Sequence, residues 1–507
     1  MIIMQLLYIC VLVILSIYGV HRLYLVFVYF RHKDENICPC GLFKELPFVT
    51  VQLPFYNEKH VACRLIDTVV GLDYPRDNME IQVLDDSDDD TCEIVRSKID
   101  DLRQQGISIT YLHRSNRIGY KAGALAEGLK SSKGDFIAVF DADFIPKADF
   151  LHKCIHYFMD PSIGMVQTRW TYLNRRYSLL TRAQAILLDG HFVIEHTARH
   201  RSMNFFNFNG TAGIWRKNAI LVAGGWQGDT LTEDLDLSYR AQLQGWKFMY
   251  LLDVTAPSEL PITVQSFKRQ QHRWSKGTIQ TAKKILGKIW KSGIPLRTKI
   301  EASFHLTGPL TYVLALILFV LFPSVLMNPF HVHAYWTQIL LFDMPVFLLS
   351  FGSMCTFYAY AQIQLYPSRI THLKYVPLAV MLGIGMSVAL AKAALEAFVG
   401  YQSPFIRTLK LGFQDKGQDG VVEKRMAKEK LDTICWIEFG LGVYFLIIFM
   451  IAFYHQMYAR LPIILLFVLS FFSIWWLQVL PLFQRIGKFF YIERFRELLR
   501  AGTISSY

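Results

Sequence analysis

The sequence predicts a doubly wound, mostly parallel α/β domain joined to a bundle of α-helical membrane segments. Three observations carry that expectation. Short β-branched or aromatic runs alternate with helix-like stretches between residues 48 and 140, and acidic pairs stand where those runs end. Several apolar runs are long enough to cross ~30 Å of hydrocarbon.

The strand-like runs are Phe48–Leu53, Glu80–Leu84, Ile107–Tyr111 and Phe136–Phe140. Helix-like stretches at 58–70, 91–105 and 120–131 separate them. That order gives βαβ units with parallel strands, and ligands of such sheets bind beyond the carboxyl ends of the strands. The polar groups fall there: Asn57-Glu58 after the first run, Asp85-Asp86 after the second, Asp141-Ala142-Asp143 after the fourth.

At 507 residues with 52% hydrophobic content, the chain exceeds one ordinary soluble domain. The apolar excess is concentrated at 2–30, 304–327, 337–365, 374–397, 433–454 and 461–481. The first run lacks a basic leader and a small-residue cleavage site, and Arg31-His32-Lys33 follows it, so it reads as an uncleaved anchor with its far end in the cytosol. The expected organisation is an anchor at 1–30, a cytosolic α/β domain at 31–280 and an amphipathic interfacial helix at 281–303. Transmembrane and interfacial helices follow at 304–397, then a cytosolic loop at 398–432, transmembrane helices at 433–481 and a basic cytosolic tail at 482–507. Segment 374–397 is expected in the interface or re-entrant: if it crossed, the basic loop after it would lie outside. That leaves five crossings.

The net charge of +12 does not point to nucleic acid, because much of the surplus flanks apolar segments, as in Lys283, Lys284, Lys288 and Lys291. Basic residues in those places suit membrane lipids. Eight scattered cysteines form no paired framework, and Cys38-Pro39-Cys40 has no His/Cys partner set nearby, which suits free thiols.

Asp141 and Asp143 place two carboxylates within one coordination sphere. A divalent cation held there can neutralise the charge that builds on a nucleoside diphosphate leaving group. Asp85 and Asp86 can accept hydrogen bonds from a nucleobase or ribose, whereas Asp88, Asp89 and Asp90 read as caps of the next helix. Lys121 opens a helix-like stretch among small residues and suits a diphosphate; the bland alternative is an exposed surface lysine. In Thr232-Glu233-Asp234, Asp234 is the candidate general base and Glu233 its tuning neighbour; simple N-capping by Thr232 is the competing account, and Asp236 fits that structural role. Gln270, Arg273 and Trp274 offer an amide, a fork of donors and a flat indole, the set that holds a sugar ring. An isolated Arg-Trp near a membrane could instead be an interfacial anchor.

These motifs together resemble a processive family 2 glycosyltransferase of the cellulose synthase superfamily, whose signature is Asp, Asp-x-Asp, Asp, Gln-x-x-Arg-Trp. The stretches QLPFYNE, QVLDDS, NRIGYKAGAL, FDADF, FNGTAGIWR, LTEDLDL, GWKF and QQHRW are similar to the cellulose synthase-like A and C enzymes, which make mannan or glucan, and to bacterial relatives. The resemblance covers roughly residues 45–300. It implies a GT-A fold, a Mg²⁺ or Mn²⁺ cofactor and an inverting mechanism with Asp234 as base. Glu58, Asp85, Asp86, Lys121 and Asp141 would hold the nucleotide sugar, Asp141 and Asp143 the metal, and Gln270, Arg273 and Trp274 the glycan. A gating loop over the nucleotide is implied at Phe405, Thr408 and Lys410, although Arg407 stands where that family's pattern has Val.

The function expected is polymerisation of a β-1,4-linked glucan or (gluco)mannan at the cytosolic face, with export through the chain's own channel. The donor is UDP-glucose or GDP-mannose, with a slight lean to the former, and the setting is a plasma (inner) membrane, or the Golgi in a eukaryote. A homo-oligomer or accessory export proteins are compatible with this. The alternatives are a non-processive transferase acting on a lipid or short acceptor, and a transporter or binding protein with an inactive transferase domain.

Overall fold

The computed structural model describes residues 2–326, 348–368, 370–402, 410, 412 and 431–500. A seven-stranded sheet organises the large domain: β1 Val49–Phe55, β2 Met79–Asp85, β3 Ile109–His113, β4 Phe136–Val139, β5 Ile163–Tyr172, β6 Gly213–Arg216 and β7 Lys247–Ser258. Their order is β3-β2-β1-β4-β6-β5-β7. Strands β1 to β4 are mutually parallel, as the alternating pattern predicts, with helices Ala62–Val70, Thr91–Gln104 and Tyr120–Ser131 as the crossovers. β6 runs antiparallel to both β4 and β5, and β5 pairs in parallel with β7.

The alternation in β1 has an unexpected cause. Val49, Val51, Leu53 and Phe55 enter one apolar core, but the intervening Thr50 and Gln52 are fully buried as well. Register sets Thr50 opposite Glu80 and Gln52 opposite Gln82. Thr50 Oγ1 donates to Glu80 at 2.7 Å and Gln52 Nε2 to Gln82 at 3.0 Å, so the buried polar face is paired across the strands, with Gln52 Oε1 left without a hydrogen bond among the described residues. A Cβ at Gly128 would lie 2.7 Å from Gln52 Nε2, so any larger residue at this position on the covering helix would have to push the amides of this ladder aside.

Three helices are long and apolar enough to cross a membrane: Leu6–His32, Ile434–Tyr454 and Tyr458–Leu480. Two bent pairs pass the same test jointly, which raises the number to as many as five among the described residues. Leu296–Thr307 and Leu310–Pro323 bend by 61° at Gly308-Pro309, where proline cannot continue the hydrogen-bond ladder. Ile370–Gly385 and Ser387–Val399 bend by 46°. The interfacial helix expected at 281–303 is instead two pieces. Residues 281–291 complete the long helix Val264–Lys291, and a second helix begins at Leu296 because Ser292-Gly293 and Pro295 interrupt the run. Residues 337–347 of one expected apolar segment lie outside the described residues.

The helix Val264–Lys291 ties the domain to the apolar helices. Lys268 Nζ, buried, contacts Glu438 at 2.5 Å and Gln478 at 2.9 Å, and Gln478 Nε2 donates to Glu438 at 2.7 Å. Removing one partner of a buried pair strands the other charge. Lys268→Met is expected to lower stability by about 3–5 kcal/mol, read as an earlier unfolding midpoint in detergent; an unchanged midpoint would refute the ion pair's structural role.

Candidate active site

One cavity beyond the carboxyl end of β4 collects side chains from five parts of the chain: Lys121, Asp141 and Asp143, Glu233 and Asp234, Gln270 with Arg273 and Trp274, and Lys410. Lys121 stands in the first turn of Tyr120–Ser131, whose N-cap Gly119 takes φ +73°, a left-handed conformation that glycine adopts without strain. Its ammonium contacts Asp141 Oδ1 at 2.5 Å and donates to the Gly210 carbonyl at 2.8 Å. It is therefore held inside the site, not free on the surface. Lys410 donates to Asp143 Oδ1. Each carboxylate of the Asp-x-Asp thus faces an ammonium.

Asp234 lies in the first turn of Glu233–Leu243, and its Oδ1 accepts from the Leu235 amide at 2.8 Å. Burial and the neighbouring Glu233 push its carboxyl up to about 7, against the opposing pull of Lys121. Burial also raises Glu233, with Lys121 opposing. Lys121 is itself held above its usual value: burial would lower it, but Asp141, Glu233 and Asp234 outweigh that. Burial lowers Arg273 although Glu233, Asp141 and Asp234 all counter it. A cluster of three carboxylates and two cations packed together is the environment in which a carboxylate can act as a base near neutral pH.

A close contact joins the helix of Asp234 to the helix of Trp274. Thr232, just ahead of Asp234, lies so near Gly277 that a Cβ there would come within 2.6 Å of Thr232 Cγ2. Gly277 follows Trp274 by one turn on Val264–Lys291. Trp274 meets Trp170 of β5 with ring centroids 6.4 Å apart, and Trp170 meets Phe144 edge-on at 5.2 Å. His272 and Lys276, on the same helix, both contact Glu396 of Ser387–Val399, at 3.0 Å and 2.9 Å. Lys283 Nζ donates to the carbonyls of Ala397 and Phe398 where that second helix ends.

Several residues singled out in the sequence are placed differently from expectation. Asp85 and Asp86 do not line the cavity. Asp85 accepts from Tyr111 Oη at 2.7 Å and from the Ser87 amide at 2.9 Å, while Arg114 grips Asp86 with two nitrogens, Nε at 2.7 Å and a second at 2.5 Å. Both carboxylates thus already serve internal partners. Glu58 is buried beside the cavity without lining it, near enough to act electrostatically on Lys410 and Arg273. Of the three aspartates read as caps, only Asp89 bonds the helix start, at the Thr91 amide; Asp88 binds Asn57 and Asp90 pairs with Lys59. Thr232 occupies the N-cap position, but its hydroxyl meets Thr281 instead of the helix amides. Asp236 is fully buried between Arg240 and Lys284. Phe405 and Thr408 lie outside the described residues.

Trp170, Tyr172 and Asn209 line the cavity without having been foreseen. The only signal for the first two is that residues two apart on a strand share a face. The one group of three potential metal ligands that meets close-range criteria among the described residues is Asp85, Cys92 and His113, apart from Asp141 and Asp143.

Residues 47–277 match the family model described as "Glycosyltransferase like family 2". Glucomannan 4-beta-mannosyltransferase 2 of Arabidopsis thaliana is 46% identical over 263 residues, 51% of this chain and 48% of that protein. Glucomannan 4-beta-mannosyltransferase 1 of Cyamopsis tetragonoloba is 45% identical over 251 residues, 48% of either chain. The chain spans about half the length of the curated relatives it matches. A mannosyltransferase of Pyrobaculum calidifontis, solved with GDP-mannose and Mn²⁺, superposes with a TM-score of 0.53 at 18% identity, over 79% of this chain and 100% of that one. At that identity the likeness establishes the fold. Residues 47–277 of this chain thus match a family 2 glycosyltransferase-like domain and take the GT-A fold, carried with apolar helices of membrane-crossing length.

Proposed function

We propose that this chain is an inverting hexosyltransferase that extends a β-1,4-linked mannan or glucomannan from a nucleotide sugar. The observation that carries the reading is the meeting of Asp234, the Asp141–Asp143 pair and Trp274 around one cavity. Asp234 would take the proton of the acceptor hydroxyl as that oxygen attacks the anomeric carbon, opposite the departing diphosphate. Lys121 and Lys410 would pass from their carboxylates to the diphosphate as negative charge gathers on it. Trp274 would stack the terminal sugar of the acceptor, with Gln270 and Arg273 available to its hydroxyls.

The donor set fits a hard divalent cation, Mg²⁺ or Mn²⁺, since Asp141 and Asp143 offer adjacent carboxylate oxygens that each hold a cationic group in this structure. These two residues would hold the ion, which when bound neutralises the leaving diphosphate. The Asp85–Cys92–His113 group mixes sulfur and nitrogen donors and suits that role less well. GDP-mannose replaces UDP-glucose as the favoured donor, on the names of the relatives and the ligand of the solved mannosyltransferase.

The competing reading is transfer of single sugars to a lipid or short acceptor. Processive synthesis is favoured by the aromatic pair Trp170–Trp274 next to helices of membrane length. On this proposal the domain faces the cytosol in a multi-pass protein, and the polymer leaves among the apolar helices. Purified protein in detergent with Mn²⁺ should release GDP from GDP-mannose and yield product cut by an endo-β-1,4-mannanase. No release from GDP-mannose, UDP-glucose or UDP-N-acetylglucosamine would refute a transferase. Trp274→Ala should raise the acceptor KM by about 10-fold to 100-fold and shorten products while donor affinity holds; full-length product would return Trp274 to an anchoring role.

A further inference from the structure

The helix that begins at Leu179 changes pitch in its middle. Residues Leu179–Asp189 are α-helical, Gly190–His196 form a π-helical turn, and Thr197–Arg201 resume the α-helix. On an α-helix, residues five apart are rotated by roughly 140°, so His191 and His196 would face different neighbours. The i→i+5 hydrogen bonding of the π turn brings residues five apart together, and these two imidazoles stand with ring centroids 4.3 Å apart.

Both histidines hold Asn209, the residue before Gly210 in the cavity wall. His196 Nε2 lies 2.6 Å from Asn209 Oδ1, and Asn209 Nδ2 lies 3.0 Å from His191 Nε2. The other nitrogen of His191, Nδ1, lies 2.8 Å from Glu195 Oε2. Burial alone would raise the Glu195 carboxyl, but Arg199 and the hydrogen bond from His191 hold it well below the usual range, so it is ionised. An ionised carboxylate accepts only. Asn209 Nδ2 can only donate, so His191 Nε2 accepts from it and the ring proton sits on Nδ1, toward Glu195. That lone pair and the His196 nitrogen on the other side hold the amide in one orientation. Burial holds the His196 imidazole neutral, and its Nε2–H then donates to the amide oxygen.

Asn209 is also fixed through its backbone, whose amide donates to Gln167 Oε1 at 2.8 Å. The next residue is the Gly210 that receives Lys121, and a Cβ on Gly210 would lie 2.9 Å from Asp234 Oδ2. Asn209 therefore stands beside both the candidate base and the candidate diphosphate ligand. The chain of contacts continues away from the cavity. Glu195 contacts Arg199 at 3.4 Å, Arg199 contacts Glu301 at 2.9 Å, and Glu301 contacts His21 of the N-terminal helix at 2.7 Å.

We propose that Glu195, His191 and His196 are positioning residues that lock the Asn209 side-chain amide in one orientation, leaving its second N–H to bind a hydroxyl of the reacting sugar. The inference rests on the transferase reading. A neutral donor of fixed direction suits a hydroxyl better than it suits a phosphate, so Asn209 belongs with sugar recognition and not with the diphosphate.

The test is a double-mutant cycle on GDP-mannose turnover with a manno-oligosaccharide acceptor. His191→Phe removes the lone pair while keeping a ring, and Glu195→Gln removes the charge that fixes the tautomer. Each is expected to lower kcat/KM by about 10-fold to 100-fold with GDP affinity unchanged, and Asn209→Ala by as much. In the Asn209→Ala background, either change should add less than about 2-fold. His191→Gln, whose amide oxygen can still accept from Asn209, should recover most of the loss. Losses that multiply with Asn209→Ala, or no rescue by His191→Gln alongside an unchanged unfolding midpoint, would overturn the clamp. Wild-type protein that turns over no donor would instead overturn the transferase reading, and the clamp with it.

Discussion

Asp234→Asn should reduce sugar transfer by about 10²–10⁴-fold, the range a positioned general base supplies, while leaving nucleoside diphosphate affinity within a few-fold of wild type. The amide matches the carboxylate in shape and can still accept from the Leu235 amide, so the fold has little reason to change. The loss is chemical: an amide cannot take the acceptor proton. The wild-type pH profile provides an independent check. Burial and Glu233 raise the Asp234 carboxyl to about 7, and the base works only when ionised. Transfer should therefore climb through pH 6 to 8 and fall about tenfold for each unit below the pKa. The same shift has a stability consequence of opposite sense. Folding favours the protonated form, so this group's contribution is greatest below the ordinary carboxyl value of 3.8 and is lost as pH rises through about 7. A flat profile between pH 6 and 8, or an Asn variant with full transfer, would remove Asp234 as base.

Asp143→Asn should cut transfer by roughly 10²–10³-fold and raise the Mn²⁺ concentration for half-maximal binding by about 10-fold to 100-fold. The substitution removes one anionic ligand of the cation and the partner of the Lys410 ammonium together. Spectroscopic titration of bound Mn²⁺ separates the two roles. Weakened Mn²⁺ binding assigns Asp143 to the metal, whereas unchanged binding with lost transfer would leave it only the task of holding Lys410. Chelation by EDTA should silence the wild type and be reversed by added Mn²⁺.

The parallel half of the sheet was legible because β1 to β4 are short runs rich in β-branched or aromatic residues, separated by helix-like stretches. The antiparallel β6 was not. Nothing local in Gly213–Arg216 sets a strand direction, which is fixed by β4 and β5 on either side. The π turn at Gly190–His196 is equally silent, since one extra residue in a turn leaves the apolar pattern almost unchanged. In the site, residues whose chemistry is local were easy to single out: an Asp-x-Asp at a strand end, a Gln-x-x-Arg-Trp on a helix. What the sequence withheld is which groups are already partnered. Asp85 and Asp86 read as open carboxylates until Tyr111 and Arg114 are seen against them. Lys410 meets Asp143 across a separation of 267 residues, a distance over which no spacing rule applies.

The contact between Gly277 and Thr232 gives the cavity a gauge. On the proposed reading, a chain-extending transferase holds its base and its stacking residue at a set separation, and here the helices that carry them meet where not even a Cβ fits between Gly277 and Thr232. The gauge has no slack on its short side. Any side chain larger than hydrogen at position 277 can only open it, so drift at this position leads toward a longer stride or a stalled one, and never toward a shorter.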